Sequence, residues 1–249
     1  MKLWKRKNEI VFFHNEPSII DNFPIIESKN LKLQWVNKVK QDFENLVKEG
    51  AKKDISFNHL SKCPGIFDLF KYGYVIPLHK DIQIRPRGMG FESTAVELTS
   101  FPNHFQVDTP SERSVNLISK PPWAEEFIIK IDTGWHIIAP KGVKFIMLPI
   151  AYPDTFDFTA TIGIINPALS TAINFQMFWN GTEDTVITAG TPLGHLIPLS
   201  EKKFKMVQRI MNQRDLYWVN MLQSAYNTSF WRHTMRKKVS DMYNKYWKG

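Results

Sequence analysis

The chain of 249 residues carries 32 Lys and Arg against 24 Asp and Glu, with 43% apolar residues and one cysteine. That length holds one large domain or two small ones around a substantial core, and the composition excludes general disorder. The lone thiol, Cys63, excludes a disulfide scaffold and a cysteine-rich zinc module. No apolar run approaches the roughly 18 residues of a membrane span. The opening MKLWKRKNEIVFF lacks a signal-peptide core with a small-residue cleavage site, so a soluble, cytoplasmic protein is expected.

Residues 8–13 (NEIVFF) read as a first strand, followed by a loop punctuated by His14, Pro17 and Pro24. Over 31–49, apolar residues at Leu33, Val36, Val39, Phe43, Leu46 and Val47 recur at helical spacing, and Gly50 is the natural stop. A short helix is expected over 64–71, capped by Gly73, which releases the chain into a strand over 74–84. RPRGMG then turns the chain so that FESTAVELTS pairs back as a hairpin. From residue 126 the β signal dominates. EFIIKI, GWHII, VKFIMLPI, FDFTATIGII, TAINFQMFW, DTVIT and GHLIPL are short runs rich in Ile, Val, Thr and aromatics, separated by Pro and Gly turns such as IDTG and APKG. Past Ser200 the spacing becomes helical, with one stripe at Val219, Leu222, Tyr226 and Phe230 and another at Val239, Met242 or Tyr243, and Tyr246. The expected class is therefore α+β. A helical lead-in with a first strand (1–72) precedes a central antiparallel β-sandwich or β-clip-like barrel (73–200), and a basic, aromatic-rich helical segment (201–249) follows.

Charge is segregated along the chain. Residues 201–249 hold 11 Lys and Arg against 3 Asp and Glu, whereas residues 1–200 hold 21 of each sign. Between Lys144 and Lys202 there is no cation, while Asp154, Asp157, Glu183 and Asp184 fall inside that gap. Such a stretch reads as the buried or subunit-facing centre of the fold. The basic tail fits an anionic partner or a solvated helical face equally in kind.

Signals for chemistry are sparse. At least 19 residues intervene between any two of the seven histidines, so no two share a strand and the His-x-His pair of a cupin-type metal site is absent. A site assembled from separate strands, for instance His104, Asp108, His136 and His195, is not required by any spacing, so no metal is assigned. Cys63 stands before Pro64 at a helix start, where backbone amides favour a thiolate; a small apolar junction residue is the plainer reading. No Gly-x-Ser-x-Gly elbow, Walker loop or dinucleotide fingerprint occurs, so no cofactor is assigned. Asp154 and Asp157, in YPDTFDF, fit a cation site, acid–base work or ordinary turn residues.

The stretch IGIINPALSTAINFQMFWNGTEDTVITAGTPLGHLIPL (162–199) resembles the closing β segment of the dUTPase and dCTP deaminase group. The matching residues are Gly163, Ile164, Ile165 and Asn166, then Gly190, Leu193, Gly194, His195 and Leu196. Asn166 stands where dUTPases hold the aspartate that activates water, and a neutral amide cannot act as that base. The run from Arg87 to Thr94 looks like the Gly-rich arm that closes over nucleotide phosphates in that group, although Glu92 would set a carboxylate beside them. Four further segments, 31–39, 62–84, 131–150 and 190–206, are similar to uncharacterised proteins encoded by tailed bacteriophages, marine ones especially. Members of that family show Gly-Ile-Val-Asp where this chain has Gly163, Ile164, Ile165 and Asn166. The resemblance implies a viral origin and one architecture from end to end, but no activity. The dUTPase-like core implies, by analogy, a homo-oligomer such as a trimer.

The last segment mixes its cations with nine aromatics, the combination that binds single-stranded nucleic acid, and Arg232, Arg236, Lys237 and Lys238 are its candidate footprint. Aromatics at helical spacing equally fit core or subunit contacts. The leading expectation is an oligomeric, non-catalytic viral accessory protein that binds a small anionic ligand or a protein partner. The rival is an enzyme acting on a nucleotide or another small molecule through Asn166, His136, His195, Asp154 and Asp157, with Arg87 as a further ligand-binding candidate.

Overall fold

The computed structural model describes residues 8–50, 59–87, 90–95, 106–108, 119–125, 127–229 and 233–246. In chain order the elements are β1 (Glu9–His14), α1 (Pro17–Asn22), β2 (Ile26–Glu27), α2 (Gln34–Lys48), α3 (Pro64–Leu69), β3 (Tyr74–Pro77), β4 (Ile82–Arg87), β5 (Gly90–Ala95), β6 (Gln106–Asp108) and β7 (Ile128–Ile138). They continue with β8 (Phe145–Leu148), β9 (Phe158–Ala160), β10 (Gly163–Ile165), β11 (Ala172–Trp179), β12 (Thr185–Ile187), β13 (Pro192–Pro198), β14 (Lys205–Ile210), α4 (Gln213–Ser229) and α5 (His233–Tyr246). The fold is α+β, with three mostly antiparallel sheets among the described residues.

The first sheet runs β14-β1-β7-β11-β9, with β6 also on β7; the second runs β10-β8-β13-β3-β2; the third is β12-β4-β5. Strand β7 is long enough to take β6 and β1 in succession along one edge, at Ile131 and Ile137, while β11 follows the other. Alternation in β11 sends Ile173, Phe175, Met177 and Trp179 inward. They meet Ile10 and Phe12 of β1 and Ile131 and Trp135 of β7. Across the core stand Tyr74, Ile76, Phe145 and Leu196 of the second sheet. The opposite face of the first sheet is covered by helices: Val11, Phe13 and Ile138 pack on Trp218, Leu222, Val239 and Tyr243. Each such side chain taken out of water contributes on the order of 1.5–3 kcal/mol before the entropy of ordering it. On the far face of the second sheet, Val75 packs with Leu33 and Ile150, against which Trp35 and Phe70 lie.

Several segments differ from their sequence reading, each for a local reason. The single strand expected over 74–84 is two strands in different sheets. At the break, Leu78 N–H donates to Thr191 O (2.8 Å), Gly190 N–H to Leu78 O (2.7 Å) and Ala189 N–H to Asp81 Oδ1 (2.6 Å). The facing chain breaks at the same level, so β3–β4 and β13–β12 change sheets together. The IDTG segment is not a turn but part of continuous β7. Gly134 adopts φ +65°, and a Cβ there would stand 2.6 Å from His14 Nε2, so only glycine lets the strand pass the imidazole. FDFTATIGII likewise divides into β9 and β10, the edge strands of two different sheets. Helix does not begin directly after Ser200: residues 205–210 form β14, which pairs with β1 in parallel, Glu9 opposite Lys205 through His14 opposite Ile210. The central β region is thus not wholly antiparallel, and its first sheet draws strands from residues 9–14 and 205–210 as well as from 106–179. Of the alternatives in the last helix, Tyr243 is buried and Met242 exposed. Phe230 lies outside the described residues. Among the described residues no helix is long and apolar enough to cross a membrane.

Candidate functional site

A groove of about 390 Å3 opens where the flank of the second sheet meets α5 and the outer face of the first sheet. Its described lining is Lys144, Ile164, Ile165, Asn166, Leu169, Ser170, Ala172, Asn174 and Arg236. Two of the sequence candidates, Asn166 and Arg236, meet here although 70 positions separate them in the chain. Asn166 follows β10 and shapes its own turn: Oδ1 accepts from Ala168 N–H (3.2 Å), and its carbonyl accepts from Leu169 N–H (2.8 Å) and Ser170 N–H (3.0 Å). The Asn-Pro dipeptide favours such a turn, which holds Ser170 at the rim. Asn174 belongs to β11. Turned so that its nitrogen faces Asp132 Oδ1 (3.0 Å), it presents its carbonyl oxygen elsewhere; Asp132 also accepts from Gly134 N–H (3.0 Å) and is not part of the lining.

Lys144 comes from the β7–β8 connection and Arg236 from α5, and both side chains are exposed. Neither forms an ion pair with a described carboxylate. Among the described lining residues there is no carboxylate, imidazole or thiol. Among its described residues the groove therefore offers two cations, two amides and a hydroxyl over an apolar floor of Ile165 and Leu169. Lys144, Ser170 and Asn174 were not singled out by sequence reasoning. The available signal was that Lys144 is the last cation before the cation-free stretch.

The other candidates do not converge. His136 lies on the helix-covered side of the first sheet, stacked on Phe13 at 5.2 Å, with Nδ1 3.1 Å from Thr171 Oγ1. His195 is buried on the far face of the second sheet beside Val75. Its Nε2–H donates to Tyr72 O (2.6 Å), its ring stacks on Phe70, and burial pushes its pKa below the ordinary histidine value against that bond. The whole core separates these two imidazoles. Asp154 caps α2 from a distant loop, its Oδ1 accepting from Gln34 N–H (3.0 Å), and so supplies the acceptor that Leu33 at the N-cap lacks. Asp157 shares that loop, where its carbonyl accepts from Asn180 N–H (2.7 Å).

Arg87, at the end of β4, faces Asp184 (3.3 Å) and Glu92 (3.8 Å), and Arg85 also reaches Asp184 (3.4 Å). Two carboxylates thus meet the charge that a phosphate-closing arm would need. Cys63 is the half-buried N-cap residue of α3. On α5, Lys237 and Lys238 are exposed, whereas the aromatics Trp218 and Tyr243 are consumed in packing, 5.7 Å apart. Tyr217 remains exposed. Arg232 and His104 lie outside the described residues, as does the side chain of Asp108. Among the described residues no three His, Cys, Asp or Glu side chains stand close enough to hold a metal. No protein-family model matches the chain, and a comparison with curated proteins finds no match either.

Proposed function

We propose that this chain is a binding protein for a small anionic ligand, held in the groove between Lys144 and Arg236, and not an enzyme. The observation that carries the reading is the make-up of that groove. Two cations on different elements face one volume with Asn166, Ser170 and Asn174, and no described lining residue is a carboxylate or imidazole that could activate the Ser170 hydroxyl. A phosphate or carboxylate bearing hydroxyl groups satisfies both halves of such a lining, the charge on the cations and the hydroxyls on the amides. Asn166, where the dUTPase group holds its aspartate, belongs in this reading as a hydrogen-bonding wall. The reading also keeps a phage-encoded, oligomeric accessory protein as its biological setting, on a sandwich or β-clip-like arrangement of the two larger sheets.

The test is calorimetric titration with inorganic phosphate and with nucleoside mono- and triphosphates at low and at moderate salt. Binding by at least one anion is expected, weakening as salt rises and falling at least tenfold in Lys144→Ala and in Arg236→Ala. Absence of binding across the panel, or wild-type affinity in both variants, overturns the reading. Turnover of a bound nucleotide would restore the enzyme alternative.

A further inference from the structure

One end of the second sheet gathers exposed cations from segments far apart in the chain. Across it the strands run β10-β8-β13-β3. At this end β10 leaves into Asn166, β8 enters after Lys144, β13 leaves into Leu199, and β3 enters after Tyr72 and Gly73. Leu199 N–H donates to Lys144 O (2.8 Å), which seats the connection after β13 against the one before β8. Lys202 N–H then donates to Ser200 Oγ (3.2 Å), so the connection turns there instead of running on from the sheet. Lys141 and Lys144 thus share one rim with Lys202 and Lys203, and Arg236 of α5 lines the groove together with Lys144. Tyr72 stands at the other end of the row, its carbonyl accepting from His195 Nε2–H of β13 (2.6 Å).

All five cations are exposed, and none forms an ion pair with a described carboxylate. In the two connections that carry four of them, Glu201 is the one carboxylate. Glu27 and Asp68, towards the β3 end, are matched by Lys29 (2.6 Å) and Lys71 (2.5 Å). Neighbouring strands lie about 4.8 Å apart, so the row from β10 to β3 spans about 14 Å, and Arg236 extends it on the β10 side. Charge laid out along such a line fits phosphates repeated along a backbone better than a single phosphate. The row also carries what bases need. Ile164, Leu199 and Tyr72 are 58%, 52% and 63% exposed, and a phenol ring among apolar groups takes bases of any sequence by stacking. Asn166 and Asn174 offer amides to base edges in the groove, whose volume of about 390 Å3 admits an unpaired nucleotide but not a duplex.

We infer that this end of the second sheet binds single-stranded nucleic acid, with its phosphates on Arg236, Lys144, Lys202 and Lys203 and its bases against Tyr72, Leu199 and the groove amides. The inference rests on the groove reading, because it takes the anion held between Lys144 and Arg236 as one phosphate of a strand. It adds a polymer as the ligand and a row of contacts outside the groove. Of the described C-terminal cations singled out from the sequence, Arg236 is the one that lines the groove, and its companions on the row come from other elements. Lys202 and Lys203 lie outside the groove lining, so they touch a strand without touching a mononucleotide held there. That difference separates the two readings experimentally.

The experiment is fluorescence anisotropy of the full chain with labelled oligothymidylate and oligouridylate about 12 nucleotides long. The matching mononucleotides, a duplex of the same length and heparin serve as competitors. At least one strand is expected to bind tenfold or more tightly than its mononucleotide, and the tighter of the two strands tells DNA from RNA. Its affinity should fall with salt at a logarithmic slope of about −3, as four phosphates of a single strand give. The double variant Lys202→Ala, Lys203→Ala should lower that slope by about 1.4 and leave mononucleotide binding unchanged. Tyr72→Ala should weaken strand binding about fivefold or more, and Tyr72→Phe should restore it. All three positions are exposed, and Lys202→Gln with Lys203→Gln replaces the double variant should it misfold. A strand that binds no more tightly than its mononucleotide overturns the inference and leaves the groove reading standing. Equal affinity for the duplex or for heparin, or wild-type strand binding in the double variant, overturns it as well. Strand binding that is unchanged in both Lys144→Ala and Arg236→Ala overturns the inference and the groove reading together.

Discussion

Stability should fall steeply in mild acid because of one histidine. His79 follows β3 at the corner where the chain changes sheets, and it is only 6% exposed. Burial, then the neighbouring His14 ring at 5.8 Å, then Lys80 push its pKa from 6.5 to about 3. The folded state therefore holds the neutral imidazole long after the unfolded chain has taken up a proton. The stabilisation is complete above pH 6.5 and is lost progressively as pH falls from 6.5 towards 3. Each pH unit across that interval is worth about 1.4 kcal/mol, so roughly 2 kcal/mol should be gone at pH 5 relative to pH 8. His195, buried on β13 beside β3 and displaced in the same direction, adds to the loss. The assay is urea denaturation at pH 8 and pH 5 for the wild type and for His79→Leu, comparing the difference between the two pH values within each protein. The variant should lose about 2 kcal/mol less than the wild type over that interval. An equal loss in both would show that His79 is protonated in the folded state and would refute the argument.

Two further substitutions test the packing. A Cβ at Gly194 would overlap the Phe175 ring, 2.9 Å from Cδ1, so Gly194→Ala should cost about 1–3 kcal/mol in denaturant unfolding; an unchanged midpoint would mean that the sheets separate freely there. The Tyr243 hydroxyl donates to Ala139 O (2.9 Å) and accepts from Ala139 N–H (3.0 Å), tying α5 to the end of β7. Tyr243→Phe leaves both backbone groups buried without that partner and should cost about 1–3 kcal/mol, whereas a cost near zero would show that α5 can shift to let water in.

What the sequence disclosed was whatever is local. The apolar spacing through Val36, Val39, Phe43 and Leu46 placed α2 to within a few residues of its ends, and Gly50, at φ +99°, stands where the helix was expected to stop. The α+β class, the run of short strands after residue 126 and two C-terminal helices were likewise legible, because period and turn residues report on the segment that contains them. What failed depends on partners far away. Tyr74–Ile84 carries Pro77 and the polar run His79-Lys80-Asp81 at its middle, and the division into two sheets is fixed there by Thr191, whose carbonyl accepts from Leu78 N–H, and Ala189, whose N–H donates to Asp81, over 100 residues on. Lys205–Ile210 is read with the helical segment past Ser200, and it is instead a strand because it pairs along Glu9–His14. The groove was half visible: Asn166 and Arg236 had each been noted, for unrelated reasons, and nothing linear joins them to Lys144.

The parallel pairing of β1 with β14 also bears on how the protein is made. Strand β1 leaves the ribosome well before its neighbours β7 and β14, which lie more than 100 and nearly 200 residues later. Its sequence, IVFF, is wholly buried in the finished molecule and would be an adhesive, unsatisfied edge in a nascent chain. At about 5–20 residues per second, that exposure lasts on the order of ten seconds or more. Pairing segments nearly 200 residues apart also carries a loop-closure cost, which slows folding. Productive synthesis is thus expected to depend on early shielding of residues 10–13, and lower growth temperature or chaperone supply should raise the soluble yield more than any change at the surface.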